Sequence, residues 1–386
     1  MNKTPKLRFK EFSGEWESKK LGDVAQIVGG GTPSTTESGY WNGNIPWFTP
    51  TEIKLQKFVS MSERTITEEG LKKSSAKILP KGTVLLTTRA SLGDMAIASQ
   101  DVTTNQGFQS IIAGNNINNE FIYYLQPKLK RYCYKNASGS TFLEISKNNI
   151  EKFKFNMPSL EEQEKIASFF SLIDKKISLQ SEKVEMLKEY KNGMMQKIFS
   201  RELRFKDDSG RDYPEWKEKK LGQIVNKKKK GKNPIYSEKG NVLLNNEYME
   251  NNINITYVEN EVDINKEDIL ILWDGSQAGK MYTGFTGVLG STFVAITLDR
   301  YNCNKFIYQQ LKYNLEKIQV AWREGSGIPH VAKDFIENFK IIVPVLEEQR
   351  KISDLFEKMD TKLKKEQEKL DSLNEYKKGL LQQMFV

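Results

Sequence analysis

The chain has 386 residues, 38% hydrophobic and 28% charged, with a formal net charge of +9. That length suits two or three domains rather than one, and the basic balance points first to nucleic acid or another anionic partner. Two cysteines in unrelated contexts, Cys133 and Cys303, and a single histidine, His330, exclude a disulfide framework, a cysteine-based zinc site and a histidine-rich metal site.

Residues 1–13 are polar and lack an apolar signal core, and no apolar run is long enough to cross a bilayer, so a soluble, cytoplasmic protein without a membrane partner is expected. Glu15-Trp16-Glu17-Ser18-Lys19-Lys20-Leu21-Gly22 opens a unit that Glu215-Trp216-Lys217-Glu218-Lys219-Lys220-Leu221-Gly222 opens again, and Leu7-Arg8-Phe9-Lys10 recurs as Leu203-Arg204-Phe205-Lys206. In the first globular part, Gly29 to Ser34 is an irregular loop, and Thr83 to Thr88 and Met95 to Ala98 are short strands. Glu120 to Tyr134 is a helix broken at Pro127. Phe153 to Pro158 is a last strand, after which Leu160 to Phe199 is a long helix with an acidic first turn. The second part repeats the plan: strands at Asp268 to Trp273 and Phe293 to Ile296, a helix at Lys305 to Lys317, a strand at Phe339 to Pro344, and a second long helix from Leu346 to Phe385.

The long helices carry a heptad-like stripe. It consists of Ile166, Phe170, Ile173, Ile177, Val184, Leu187, Lys191, Met194 and Ile198 in the first. In the second it consists of Ile352, Phe356, Met359, Leu363, Glu366, Leu370, Leu373, Leu380 and Met384. The chain is thus a tandem duplication of class α+β. Its two helices are expected to pair as an antiparallel coiled coil about a pseudo-two-fold, with Lys191 opposite Glu366 and Gln180 opposite Lys377. Such a helix spans roughly 57 Å at 1.5 Å per residue and is expected to act as a spacer.

Catalytic constellations are missing. Gly275 to Met281 has three residues between its glycines where a phosphate loop needs four, and Met281 where that loop needs a hydroxyl. Asn233-Pro234-Ile235-Tyr236 lacks the second proline and the glycine-rich loop of an amino-methyltransferase. What remains suits binding. Lys227 to Lys230 with Lys232 attracts phosphate. Three loops recur in matched positions: Thr87–Ser91 with Trp273–Gln277, Asn105–Gly107 with Gly290–Thr292, and Ser138–Thr141 with Gly325–Gly327. Their side chains suit base edges: Arg for guanine, Gln for adenine, Asp for cytosine. The residues expected to face DNA are Thr32, Ser34, Thr88, Arg89, Ser91, Gln106, Ser140, Thr141 and Lys147 in the first part. In the second they are Lys228, Lys230, Lys232, Asp274, Ser276, Gln277, Lys280, Thr292, Ser326 and His330. The frame matches between copies and the interiors differ, which suits two readers of two different targets. A self-contained nuclease or methyltransferase, or a scaffold that binds only proteins, are the alternatives.

Glu-Trp-x-x-Lys-Lys-Leu-Gly twice, Gly30 to Ser34 followed by Tyr40-Trp41-Asn42-Gly43 and Ile45-Pro46-Trp47, and Pro-x-Leu-Glu-Glu-Gln twice at Pro158 to Gln163 and Pro344 to Gln349 together resemble the DNA-specificity subunit of type I restriction–modification systems. The resemblance implies target recognition domains at 1–158 and 201–344, each reading one half of a split double-stranded DNA site, and spacer helices at 159–200 and 345–386. It implies no cofactor of the chain's own. Two methyltransferase subunits would bring S-adenosylmethionine, and motor–nuclease subunits would use ATP and Mg. Glu161, Glu162, Gln163, Glu347, Glu348 and Gln349 are expected to dock the methyltransferase.

Overall fold

The computed structural model describes residues 3–53, 56–139, 143–251, 254–325 and 327–385. Contacts divide the chain into two compact units: residues 1–181 with 368–386, and residues 182–367. Each unit therefore draws on both long helices, Leu160–Phe199 and Leu346–Met384.

In unit 1 the strand Glu17–Lys20 pairs antiparallel with Lys154–Met157, so the Trp16 motif and the strand before the long helix close one frame. A five-stranded sheet runs in the order Ala25–Gly29, Gln109–Ala113, Val84–Leu86, Met95–Ala98, Phe58–Val59. A three-stranded sheet places Trp41–Phe48 between Arg64–Ile66 and Thr103–Thr104. The broken helix is present as Asn119–Tyr124 and Gln126–Asn136, with Pro127 in the first turn of the second piece, where its missing N–H costs nothing.

Unit 2 repeats this plan. Lys217–Lys220 pairs with Lys340–Val343. A four-stranded sheet has the order Val225–Lys230, Phe293–Leu298, Ile269–Leu272, Met281–Tyr282. The helix expected at Lys305 to Lys317 is two helices, Asn304–Tyr313 and Leu315–Ala321, meeting at Asn314. The Asn314 side chain donates to the Gln310 carbonyl at 2.8 Å, a local bond that competes with helix continuation.

The cores explain the division into units. In unit 1, Trp16, Phe121 and Phe170 pack with Leu380, Met384 and Phe385 from the end of the second long helix. Phe385 stands 5.3 Å from the Phe121 ring and 6.0 Å from Phe170. In unit 2, Trp216, Phe306 and Phe356 pack with Met195, Ile198 and Phe199 from the end of the first. Phe199 stands 5.9 Å from Phe306 and 6.1 Å from Phe356. Of the expected stripe, Ile166, Phe170, Ile173, Val184, Ile198, Ile352, Phe356, Leu380 and Met384 are buried. Ile177, Leu187, Met194, Met359, Leu363, Leu370 and Leu373 are half-buried. The helix ends are core elements, and the stripe between them is a shallower seam.

The helical register differs from the expected one. Lys191 pairs with Asp360, not Glu366, and Glu366 takes Lys183 at 2.7 Å. In unit 1, Lys377 meets Asp174 at 2.5 Å. The globular parts account for this. Gln309 donates to Asp360 at 3.3 Å, and Tyr124 donates to Asp174 at 2.6 Å. Each aspartate thus ties a lysine from one long helix to a polar side chain of the globular part, a demand that heptad matching of the two helices alone does not include. The same burial and Asp174 raise the pKa of the Tyr124 hydroxyl well above the usual phenol range.

Candidate nucleic-acid interface

The three loops matched in the sequence meet in each unit. In unit 1 the strand Val84–Leu86 feeds a loop closed by Thr87, whose hydroxyl donates to the Ser91 carbonyl at 2.5 Å and accepts from the Asp94 N–H at 3.0 Å. The Thr88 N–H donates to the Gly107 carbonyl at 2.8 Å, and the Ile145 N–H to the Thr88 carbonyl at 3.3 Å. The Arg89 guanidinium donates to the Gln106 carbonyl at 3.1 Å and lies 3.4 Å from the Glu144 carboxylate. Thr32 donates to the Gln106 side chain. The loop carrying Thr32 lies tight on its neighbours: a Cβ on Gly30 would fall 2.0 Å from the Asn105 carbonyl oxygen, so only glycine fits.

In unit 2 the Trp273 and Asp274 N–H groups donate to the Thr292 carbonyl at 2.7 and 3.2 Å. Gly275 N–H reaches the Pro329 carbonyl at 2.8 Å, and Val331 N–H the Trp273 carbonyl at 2.9 Å. Arg323 donates to the Ser276 carbonyl at 3.2 Å. His330 is bridged to Asp274 through the backbone, and its Nε2 lies 3.9 Å from Glu324.

The third loop of each copy is a hairpin of one design. Ser138 faces Glu144 in unit 1, and Glu324 faces His330 in unit 2, six residues apart in both. The residue after the first partner is glycine at positive φ, +121° at Gly139 and +94° at Gly325, where a side chain would strain the backbone.

Not every candidate joins these junctions. Ser91 donates to the Pro50 carbonyl at 3.4 Å, and the Ser34 carbonyl accepts from Trp41 at 3.0 Å. Lys147 opens the short helix Lys147–Glu151 and pairs with Glu151 at 3.7 Å. Lys280 is committed to Glu250 and also donates to the Gln277 side chain at 3.3 Å, which turns both toward the helix Asn246–Asn251. Lys228 stands 5.6 Å from the Trp273 ring, beside the junction, and is held by Glu337 at 2.9 Å. That ion pair holds the Glu337 carboxyl below the usual carboxylate range. Lys230 and Lys232 are exposed at and beyond the end of an edge strand, where lysines also guard against strand addition. Ser140, Thr141 and Ser326 lie outside the described residues.

The expectation of a docking face at the starts of the long helices is corrected for four of its six residues. Glu161 and Glu347 are exposed, but Glu162 and Gln163 are 1% and 0% exposed, and Glu348 and Gln349 are 0% and 1%. Arg8 grips Glu162 with two bonds, 2.8 and 2.7 Å. Arg204 grips Glu348 at 3.3 and 2.9 Å, with Trp216 Nε1 adding a bond at 3.1 Å. Gln163 accepts from the Asn118 N–H, and Gln349 from the Cys303 N–H at 2.8 Å. These side chains fasten each long helix to its own globular part, so they present nothing to a partner. Sequence reasoning noted the repeated Arg8 and Arg204 motif and did not assign it. The recurrence of Leu-Arg-Phe-Lys beside Leu-Glu-Glu-Gln was the available signal. Glu144 and Arg323 were also missed.

The profile described as "Type I restriction modification DNA specificity domain" matches residues 13–189 and 213–375, nearly nine-tenths of the chain. The chain belongs to this family. It is a DNA-recognition subunit rather than an enzyme. The chain is 30% identical over 400 residues to the type I restriction enzyme MjaIX specificity subunit of Methanocaldococcus jannaschii, covering 95% of this chain and 92% of that protein. It is 31% identical over 175 residues to the EcoR124I/EcoR124II specificity subunit of Escherichia coli, covering 44% and 43%. The crystal structure of an S subunit from M. genitalium superposes with a TM-score of 0.64 at 17% identity over 99% of both chains, which shows the shared fold. In family terms, the two junctions belong to the two specificity domains. Among the described residues no helix is long and apolar enough to cross a membrane, and no group of three or more His, Cys, Asp or Glu is placed to hold a metal.

Proposed function

We propose that this specificity subunit reads a two-part, asymmetric double-stranded DNA site, one half per unit, and directs type I methyltransferase and motor–nuclease subunits to it. The observation that carries the reading is the same three-loop junction built twice on one frame with different side chains: Arg89, Gln106 and Glu144 in one, Asp274, Ser276, Arg323 and His330 in the other. Lys and Arg anchor phosphates and fix orientation, and the junction side chains read base edges. The two long helices, each shared by both units, set the gap between half-sites. The partner subunits supply S-adenosylmethionine, ATP and Mg and the bond-making chemistry, in the cytoplasm.

The test is methylome sequencing of a host carrying the chain with its methyltransferase subunits. Replacing residues 215–344 by the corresponding part of another specificity subunit is expected to change one half of the methylated motif only. Alteration of both halves together would show that the units do not read independently. Methyl transfer by the purified chain alone would overturn the assignment of chemistry to the partners.

A further inference from the structure

Arg89 in unit 1 is held in an incomplete way. Its guanidinium donates to the Gln106 carbonyl at 3.1 Å and touches Glu144 at 3.4 Å, while its Nε is buried without a partner. Its side chain is still 39% exposed and that of Glu144 50% exposed, so the pair stands open at the junction surface. The surroundings share this polar deficit. Among the described residues, five of the seven buried side-chain polar atoms without a hydrogen bond belong to Thr88, Arg89, Thr104, Gln109 and Ser110, at or next to this junction. Unmatched buried polar atoms are rare in folded chains and call for an explanation.

The position of Glu144 is defined by the fold. It is the second partner of the hairpin bridge, and the shift of 186 residues that superimposes the hairpins puts His330 there in unit 2. One backbone slot, beside the reading loop in each unit, thus carries a carboxylate in one and an imidazole in the other.

We propose that Arg89 and Glu144 form a single reading unit for a G·C base pair in the first half-site, with Glu144 as the positioning and specificity-determining residue. This rests on the reading of unit 1 as a DNA reader. Guanine presents O6 and N7 to the major groove and its cytosine presents an N4 amino donor. Arg89 is the group that takes two acceptors at once. The Glu144 carboxylate accepts from the cytosine amino group, and because both of Arg89's contacts, to Gln106 and Glu144, fall on Nη2, the two N–H groups of Nη1 are left for the guanine acceptors. With A in the cytosine's place the N6 amino group still donates to Glu144, but the opposite thymine offers Arg89 one acceptor, O4, where guanine offers two; with T in that place the O4 acceptor faces the carboxylate and repels it. The carboxylate also repels phosphate, so the same residue weakens binding to sites without the pair.

The test is the methylated motif of the assembled methyltransferase carrying wild-type chain, Glu144→Gln, Glu144→Ala, Arg89→Lys or Arg89→Ala. The wild-type motif is expected to contain a G·C pair in one half. Glu144→Ala and Arg89→Lys are expected to raise methylation of sites changed at that one pair by about tenfold or more, leaving every other position intact. Glu144→Gln, which keeps the hydrogen bonds of an acceptor oxygen and loses the charge, is expected to shift the preference at the same pair less. Should Arg89→Ala or Glu144→Ala lose the fold, visible as a lowered melting temperature, the two conservative variants still decide. A half-site with only A·T pairs, relaxation at different positions in the two variants, or an unchanged motif in both conservative variants would overturn the proposal. A wild-type complex that methylates no two-part motif at all would instead overturn the broader reading of function.

Discussion

At the scale of single residues, the second glutamate of each Leu-Glu-Glu-Gln sequence shows how burial reassigns a motif. Glu162 sits beneath Arg8, which also donates to the Gly14 and Ser13 carbonyls, and Glu348 sits beneath Arg204, which also donates to the Tyr213 and Pro214 carbonyls. The hydrogen bond to Glu162 raises the Arg8 pKa, and the bond to Glu348 raises that of Arg204, so each arginine holds its charge more firmly than a free guanidinium. Each arginine thereby joins the N-terminal approach segment of its unit to the first turn of the long helix. Removing one partner of such a pair leaves a charge without its counter-ion in a largely closed site. Glu162→Ala and Glu348→Ala are each expected to cost about 3 kcal/mol, measured by denaturant unfolding, with Glu161→Ala near zero because Glu161 is exposed. Equal effects of Glu161→Ala and Glu162→Ala would contradict this assignment. The two cysteines separate in the same way. Cys133 is fully buried and burial pushes its thiol up to about 12, whereas Cys303 is half-buried with its sulfur 3.3 Å from the Ser353 hydroxyl. Thiol reagents act on the thiolate, and a pKa raised from 9 to about 12 leaves roughly a thousandfold less of it at neutral pH. Native-state alkylation at pH 7.5 followed by mass spectrometry is therefore expected to modify Cys303 before Cys133. Prior loss of Cys133 would show that the packing around helix Gln126–Asn136 opens more readily than its burial implies.

At the scale of elements, the ends of the long helices matter more than their middles. Phe385 and Phe199 are large apolar side chains seated among aromatic rings in equivalent places of the two units. Truncating either to Ala is expected to destabilise its own unit by about 3–5 kcal/mol, whereas Leu373→Ala, at a half-buried stripe position, is expected to cost much less. Hydrogen exchange that reports each unit separately would check this, and uniform loss of protection in both units on Phe385→Ala would contradict it. The helices and a few strands were legible in the sequence, because periodicity and proline positions are local signals and the chain could be compared with itself, whereas strands such as Ala25–Gly29, Trp41–Phe48 and Gln109–Ala113 were not. Duplicated Glu-Trp and Leu-Glu-Glu-Gln sequences marked the start of each unit and of both long helices, but not the strands Glu17–Lys20 and Lys217–Lys220 that the Glu-Trp motif leads into. Register was not legible. Heptad reasoning treats two helices as each other's only partners, and it therefore set Lys191 against Glu366. The partner is Asp360, chosen because Gln309 of the globular part shares it, as Tyr124 shares Asp174. A pattern of apolar residues in one dimension does not say which third element will supply a polar atom. The loop junctions were half legible: matched position identified the three loops, but that Arg89 leans on Glu144 depends on a hairpin whose bridge no local motif encodes.

At the scale of the whole molecule, each unit takes the start of one long helix and the end of the other, so on the proposed reading the gap between half-sites depends on both helices together. The lysine–aspartate seats are Asp174 with Lys377 in unit 1 and Lys191 with Asp360 in unit 2. From Asp174 to Lys191 is a step of 17 residues, and so is Asp360 to Lys377. On that reading the two equal steps must change together. Deleting residues 178–184 with their counterparts 364–370 removes about two helical turns from each, keeps every seat on its original helical face, and shortens each helix by about 10 Å. Lys183 and Glu366, an ion pair in the native seam, leave together. The methylated motif is then expected to keep both half-sites and lose roughly three base pairs of gap, at 3.4 Å per pair. Deleting 178–184 alone offers no such solution: with one helix short, either Asp174 on one side of the deletion or Lys191 and Phe199 on the other must leave their seats, so the outcome is an unfolded unit and lost methylation rather than a shorter gap. A single-helix deletion that produced a stable complex with a shortened gap would show that the two helices are not joint rulers, and an unchanged gap after the matched deletion would show that spacing between half-sites is set elsewhere.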